Sequence, residues 1–255
     1  MPVTTAPVCV TGATGFVAGA IVEELLGNGY LIRGTTRDPE RAWRDRHVTG
    51  LPGADEQLDL VAADLMTPGS FDNAVAGCEY VIHTASPYVT DVADPQRDLV
   101  DPAVKGTLSV LEACRVAGGV KRVVLTSSLA AITDQPDGRV LSESDWNTRS
   151  TLKRNAYYLS KAEAERAAWR FMEDAKPDFD LVVLNPPFVM GPSLIPGLNT
   201  SARALTGLTN GVLPVIVDIQ WPIVDVRDLA IAHRLAIEVP TASGRYLTAA
   251  GVRSM

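Results

Sequence analysis

The feature that most constrains this chain is a glycine turn close to its start, Thr11-Gly12-Ala13-Thr14-Gly15. An apolar run, Val8-Cys9-Val10, leads into it. Phe16, Val17, Ile21, Val22, Leu25 and Leu26 follow at three- and four-residue spacing. That order reads as strand, tight turn and helix. Such a turn leaves the first N–H groups of the helix unpaired and aimed at one spot, where the helix dipole also favours negative charge. A diphosphate is therefore the expected guest of Thr11, Gly12, Ala13, Thr14, Gly15 and Phe16. Gly12 permits the turn, and Gly15 lets phosphate oxygens approach the backbone. Ala18 and Gly19 are small enough for the helix to lie close on a sheet. The spacing Gly-x-x-Gly-x-x-Ala is one residue shorter at its start than the common dinucleotide fingerprint. An ordinary strand–helix turn is the competing reading.

The rest of the chain repeats the alternation. Strands are predicted at Leu31–Thr36, Leu58–Ala62, Tyr80–His83, Val120–Thr126, Leu181–Asn185, Val215–Val217 and Arg245–Leu247. Helices are predicted at Ser70–Ala76, Asp98–Ala117, Asn155–Asp174, Thr200–Leu208 and after Asp225. Alternation of this kind predicts an α/β fold, a doubly wound parallel (Rossmann) sheet, with ligands outside the carboxyl ends of its strands. Small residues collect at those ends: Thr84-Ala85-Ser86 after the fourth strand and Ser127-Ser128 after the fifth. Ala85 is placed beside the cofactor on that ground. His83 is expected in the core rather than in the chemistry. The chain has 255 residues, enough for one substantial core with a small appended lobe. Residues 1–185 are assigned to the dinucleotide-binding domain with its catalytic groups. Residues 186–255 are assigned to a mixed segment that contributes the substrate lobe and returns to the sheet.

A formal net charge of −7 speaks against nucleic acid or an anionic membrane as partner. No apolar run approaches the roughly 18 residues of a membrane span. The segment MPVTTAPVCV has no secretory pattern, so a cytoplasmic location is expected. Cys9, Cys78 and Cys114 are expected as reduced, buried thiols. No Cys or His pair has metal-ligand spacing, so no metal is expected.

Arg37 falls at the end of the second strand, the place that faces the adenine ribose in dinucleotide folds. An acidic residue there suits the 2′-hydroxyl of NAD, and an arginine suits the 2′-phosphate of NADP. Arg41 lies within reach if a helix begins at Pro39. These two make NADPH/NADP+ the expected cofactor, with solvated surface charge as the plain alternative and Asp38 as a competitor for a ribose hydroxyl. Asp64 is placed to accept a bond from the adenine amino group, or else to cap the helix at Ser70–Ala76.

Tyr157 and Lys161 are four residues apart, so on a helix they leave the same face. A free tyrosine has a pKa near ~10, and a neighbouring ammonium lowers it. Tyr157 is then fit to hand a proton to a carbonyl oxygen that Ser128 aligns. The competing reading is one core tyrosine and one surface lysine, with Tyr158 as the obvious decoy.

The chain resembles the extended short-chain dehydrogenase/reductases. Within them it is most similar to the dihydroflavonol-reductase-like branch, which includes yeast-type NADPH-dependent methylglyoxal and carbonyl reductases. The resemblance runs from Val8 to about Tyr246 through TGATGFVAG, RDPER, HTASP, TSS, NAYYLSK, AEAERAAW, NPPFVMGP, LNTS and DVRDLAIAH. It implies Ser128, Tyr157 and Lys161 as the catalytic serine, tyrosine and lysine, with Ser127 a decoy. It also implies Arg37 and Arg41 at the 2′-phosphate, Asp64 and Leu65 at the adenine, Pro186 at the nicotinamide, and Val189 and Ser201 as later cofactor contacts. The relatives continue well past the strand at Arg245–Thr248, so the C-terminal substrate lobe is expected to be small and incomplete. The implied activity is NADPH-dependent reduction of aldehydes or ketones to alcohols, on a small-molecule carbonyl substrate, by a monomer or homodimer. The alternatives are an NAD-dependent nucleotide-sugar epimerase or dehydratase on the same fold, and a non-catalytic dinucleotide sensor.

Overall fold

The structure, a computed structural model, describes residues 1–86, 92–135, 138–195, 206–207, 210 and 220–254. Seven parallel strands form the main sheet. In chain order these are β1 (Val8–Thr11), β2 (Ile32–Thr36), β3 (Leu58–Ala62), β4 (Tyr80–His83), β5 (Arg122–Thr126), β6 (Asp180–Asn185) and β9 (Gly244–Leu247). Across the sheet they run β3-β2-β1-β4-β5-β6-β9. The order reverses between β1 and β4, which makes the carboxyl ends of those two strands the switch point where ligands bind in doubly wound sheets.

Alternation along each strand fills both faces, as a sheet covered by helices on each side requires. Val8, Val10, Ile82, Val124 and Val182 point to one face, where they meet α1 (Phe16–Gly27) and the last helix, α7 (Val226–Glu238). Cys9, Val81, Val123, Leu125 and Val183 point to the other, against α5 (Asp101–Ala117) and α6 (Ala156–Ala175). Cys9, Cys78 and Cys114 are buried free thiols on this second side, and burial raises the pKa of each.

Three smaller α-helices among the described residues add to the wrapping: α2 (Pro39–Asp45), α3 (Ala54–Gln57) and α4 (Asp72–Val75). A second sheet, β10-β8-β7, is built from β7 (Phe188–Met190), β8 (Gln220–Asp225) and β10 (Gly251–Ser254). Among the described residues no helix is long and apolar enough to cross a membrane.

Four local expectations change. The helix predicted at Ser70–Ala76 is the single turn α4, and Asp64 does not cap it: its Oδ1 accepts from the Met66 N–H at 2.8 Å. Gly19 does not face the sheet, since a Cβ there would meet Val48 and Leu194 at 3.5 and 3.6 Å. Ala18, which is buried in the same cluster as Val8 and Val10, is the small residue toward the strands. Strand β8 was not anticipated because Pro222 interrupts its pattern. Pro222 lies outside the β7–β8 register, which starts at Ile223, and pairs only with Val252 of β10. The strand predicted at Val215–Val217 lies outside the described residues, as does the helix Thr200–Leu208 apart from residues 206–207.

Candidate active site

The glycine turn sits at the switch point. Gly12 has φ +67° and carries its N–H to Thr35 Oγ1 at 3.0 Å. A Cβ on it would lie 3.2 Å from the Cα of Ala85. The turn is therefore pressed against the end of β4, in a conformation that glycine adopts without strain. Gly15 is the N-cap of α1 and offers no side-chain cap, so the helix start keeps its N–H groups for another acceptor. Ala13 is fully buried, whereas Thr14, Gly15 and Phe16 reach the surface. The glycine backbone and the uncapped, partly exposed helix start thus suit a diphosphate.

The Thr11 side chain serves a different purpose. Its hydroxyl accepts from the N–H groups of Thr84 and Ala85 at 3.1 and 3.0 Å. Its own proton goes to His83 Nδ1, 2.8 Å away. Thr84 Oγ1 donates in turn to the Thr11 carbonyl. This stitching fixes the turn to β4, and burial holds His83 neutral with a pKa of about 3. His83 is a core residue, as the sequence suggested.

Arg37 is exposed just past β2 and makes no ion pair among the described residues. Arg41 lies on α2 with its Nε 3.2 Å from Asp45. Asp38 is the N-cap of α2, its Oδ1 accepting from the Arg41 N–H at 2.9 Å. The carboxylate beside Arg37 is thereby engaged in holding the helix that carries Arg41. Leu65 packs its side chain on α5, where a Cβ at Gly106 would come within 2.8 Å of Leu65 Cδ2.

Ser128 follows β5, and its Oγ accepts from the Ala130 N–H at 3.2 Å. Ser127 is buried, with its hydroxyl donated to Glu165 at 2.5 Å. Of the two serines, Ser128 alone is partly open. Tyr157 and Lys161 share one face of α6, the Lys161 Nζ lying 5.9 Å from the centre of the Tyr157 ring. Tyr157 is half-buried, whereas Tyr158 is 36% exposed. The lysine does not reach into bulk water. It donates to Ser86 Oγ at 3.0 Å, one residue past Ala85. Sequence reasoning had not singled out Ser86, whose only signal was its place in a run of small residues at a strand end.

Pro186 is buried behind β6, and its carbonyl accepts from the Leu129 N–H at 2.8 Å. Val189 lies in β7, packed against the cluster that holds α1. Ser201 lies outside the described residues. The structure therefore gathers the glycine turn, Ala85, Ser86, Ser128, Tyr157 and Lys161 at the carboxyl ends of β1, β4 and β5. Arg37 and Arg41 stand beyond β2.

Burial pulls the Lys161 amine from its ordinary 10.5 down to about 8. A group whose folded pKa is depressed in this way has its ammonium penalised at every pH below that value. Stability from this group rises with pH only between about 8 and 10.5. Lys161→Met is expected to melt higher at neutral pH, since it removes a buried amine, while losing turnover. Thermal melts beside an activity assay check both halves. A variant that loses activity and also melts lower would contradict the placement of the amine in a desolvated site.

The model of the NAD dependent epimerase/dehydratase family matches residues 8–247. Cinnamoyl-CoA reductase CAD2 of Medicago truncatula is 45% identical over 245 residues, which cover 94% of this chain and 74% of that protein. Dihydroflavonol 4-reductase of Hordeum vulgare is 38% identical, covering 94% of this chain and 70% of that one. The crystal structure of yeast methylglyoxal/isovaleraldehyde reductase Gre2 complexed with NADPH superposes with a TM-score of 0.88 at 32% identity. That match covers 98% of this chain and 79% of the yeast one.

Proposed function

The chain belongs to the NAD dependent epimerase/dehydratase family, the extended short-chain dehydrogenase/reductases, and on that premise we propose that it reduces aldehydes or ketones to alcohols with NADPH. The observation that carries this reading is the single cluster at the switch point. Lys161, 5.9 Å from the Tyr157 ring, donates to Ser86, which follows Ala85, and Ala85 is the residue against which the glycine turn is pressed.

The turn and the uncapped start of α1 would hold the diphosphate. Arg37 and Arg41 would hold the 2′-phosphate, Arg41 exchanging its exposed Asp45 partner for it. An exposed pair of that kind contributes little, about 0–1 kcal/mol, so the exchange costs little. The bound reduced nicotinamide supplies a hydride to the carbonyl carbon. Everything else falls to the chain. Ser128 donates to the carbonyl oxygen and orients it. Tyr157 delivers the proton that the new alcohol needs. Lys161, by its charge, favours the phenolate that this leaves behind. The depressed Lys161 pKa limits that help, because above about pH 8 the free protein's lysine loses its charge. Reduction by the free enzyme, read as kcat/KM, is expected to decline on that alkaline side.

The relatives' names cover a conjugated thioester, a flavonoid ketone and small aldehydes. The test is a panel of those three carbonyl classes, each assayed by loss of reduced-nicotinamide absorbance with NADPH and with NADH. Turnover of the flavonoid ketone or of a small aldehyde, with NADPH preferred about 10-fold or more, is the expected result. Preference for NADH, or turnover of a nucleotide sugar in place of every carbonyl, would overturn it.

A further inference from the structure

Glu165 is a buried carboxylate that the proposed chemistry does not use. It lies on α6 one turn beyond Lys161 and two beyond Tyr157, with its side chain 0% exposed. Four donors converge on it. Ser127 Oγ and Asn185 Nδ2 donate to Oε2 at 2.5 and 2.7 Å. Arg245 Nε and Trp169 Nε1 donate to Oε1 at 2.5 and 3.4 Å. These donors come from the end of β5, the end of β6, the edge strand β9 and α6 itself.

A buried ion pair is weak evidence for stability, since apolar residues of the same size often serve as well. What this one does is geometric. Asn185 Nδ2 also donates to the Ser128 carbonyl at 3.2 Å. Glu165 therefore grips the residue before Ser128 through its hydroxyl, and the Ser128 peptide through Asn185. Arg245 extends the grip outward. Its guanidinium donates to the carbonyls of Glu143 and Asp145, both at 2.7 Å, and stacks 3.8 Å over Trp146. Asn147, next along, donates to the Ala130 carbonyl at 2.8 Å, just past Ser128. The cavity that Glu165 shares with Ser127, Lys161 and Ser86 measures about 10 Å³, room for about one water.

We infer that Glu165 is a positioning residue that sets Ser128 relative to Tyr157 and Lys161, acting through Ser127 and Asn185. The inference rests on the reading of Ser128, Tyr157 and Lys161 as the reacting groups. A misplacement of about 1 Å in such a constellation costs on the order of 10²-fold in rate.

The test uses the full chain with Glu165→Gln, Ser127→Ala and Ser127→Thr, together with Tyr157→Phe. Turnover, NADPH affinity by tryptophan quenching, and melting temperature are read on each. Ser127→Ala leaves the Glu165–Arg245 pair intact, so it decides the matter if Glu165→Gln fails to fold. Ser127→Ala is expected to lower kcat about 10-fold or more, with NADPH affinity and carbonyl KM within about twofold of the parent. Ser127→Thr, which keeps a hydroxyl, is expected to recover most of the rate. Parental kcat in Ser127→Ala, or parallel loss of rate, NADPH affinity and melting temperature, would overturn the inference. Loss of turnover in Tyr157→Phe beside an unaffected Ser127→Ala sinks this inference alone. Turnover surviving Tyr157→Phe sinks the assigned chemistry and the inference with it.

Discussion

Tyr157→Phe is expected to lower kcat on the order of 10³-fold while NADPH binds as before. On the proposed assignment, removing the hydroxyl takes away the proton that Tyr157 would deliver to the carbonyl oxygen. A serine beside a carbonyl orients it well and acidifies it poorly. The ring itself remains, half-buried on α6, so the packing around Lys161 and Ser86 changes little. On the proposed assignment, cofactor affinity is set elsewhere, by the turn after β1 and by the arginines after β2. Titration by tryptophan fluorescence and a rate measurement on the same sample separate the two effects. A variant that fails to bind NADPH would show the Tyr157 hydroxyl to be part of the cofactor site instead.

Gly12→Val is expected to weaken NADPH binding by about 10²-fold or more. Two independent facts produce this. The backbone at Gly12 has φ +67°, which a β-branched residue adopts only under strain. A Cβ there would also stand 3.2 Å from both Cα and Cβ of Ala85, which Thr11 holds in place. The turn must either retreat from β4 or open, and in both cases the N–H groups lose their common aim. Gly27→Val serves as the control, since nothing lies within 4 Å of a Cβ at that position. Near-parental affinity in Gly12→Val would mean that the diphosphate is held by some other part of the chain.

The site was legible where the chemistry depends on spacing along one element. Tyr157 and Lys161 are one turn apart on α6, and a period of 3.6 residues puts them side by side in any helix. The glycine turn was legible because its strand and helix flank it directly. Arg37 follows from the end of β2 in the same way. What spacing could not show is contact across elements. Ser86 and Lys161 are brought together where the segment after β4 meets α6, and Glu165 with Arg245 by the return of the edge strand to β6. An acid one turn beyond Lys161 was the only hint, and a glutamate on a helix is usually a solvated one. Thr11 illustrates the converse. Its place in the turn suggested a ligand contact, yet its side chain is fully buried against His83. The fold was read through its hydrophobic alternation, and it failed at β8, where a proline masks a strand whose paired neighbour β7 has three residues.

The most direct test of the account compares Tyr157→Phe with Tyr158→Phe, each saturated with NADPH and mixed with a carbonyl substrate that the parent enzyme reduces. Loss of reduced-nicotinamide absorbance is followed through a single turnover. The account predicts the parental rate for Tyr158→Phe and virtually none for Tyr157→Phe. The reverse pattern, or equal rates in the two, would contradict it.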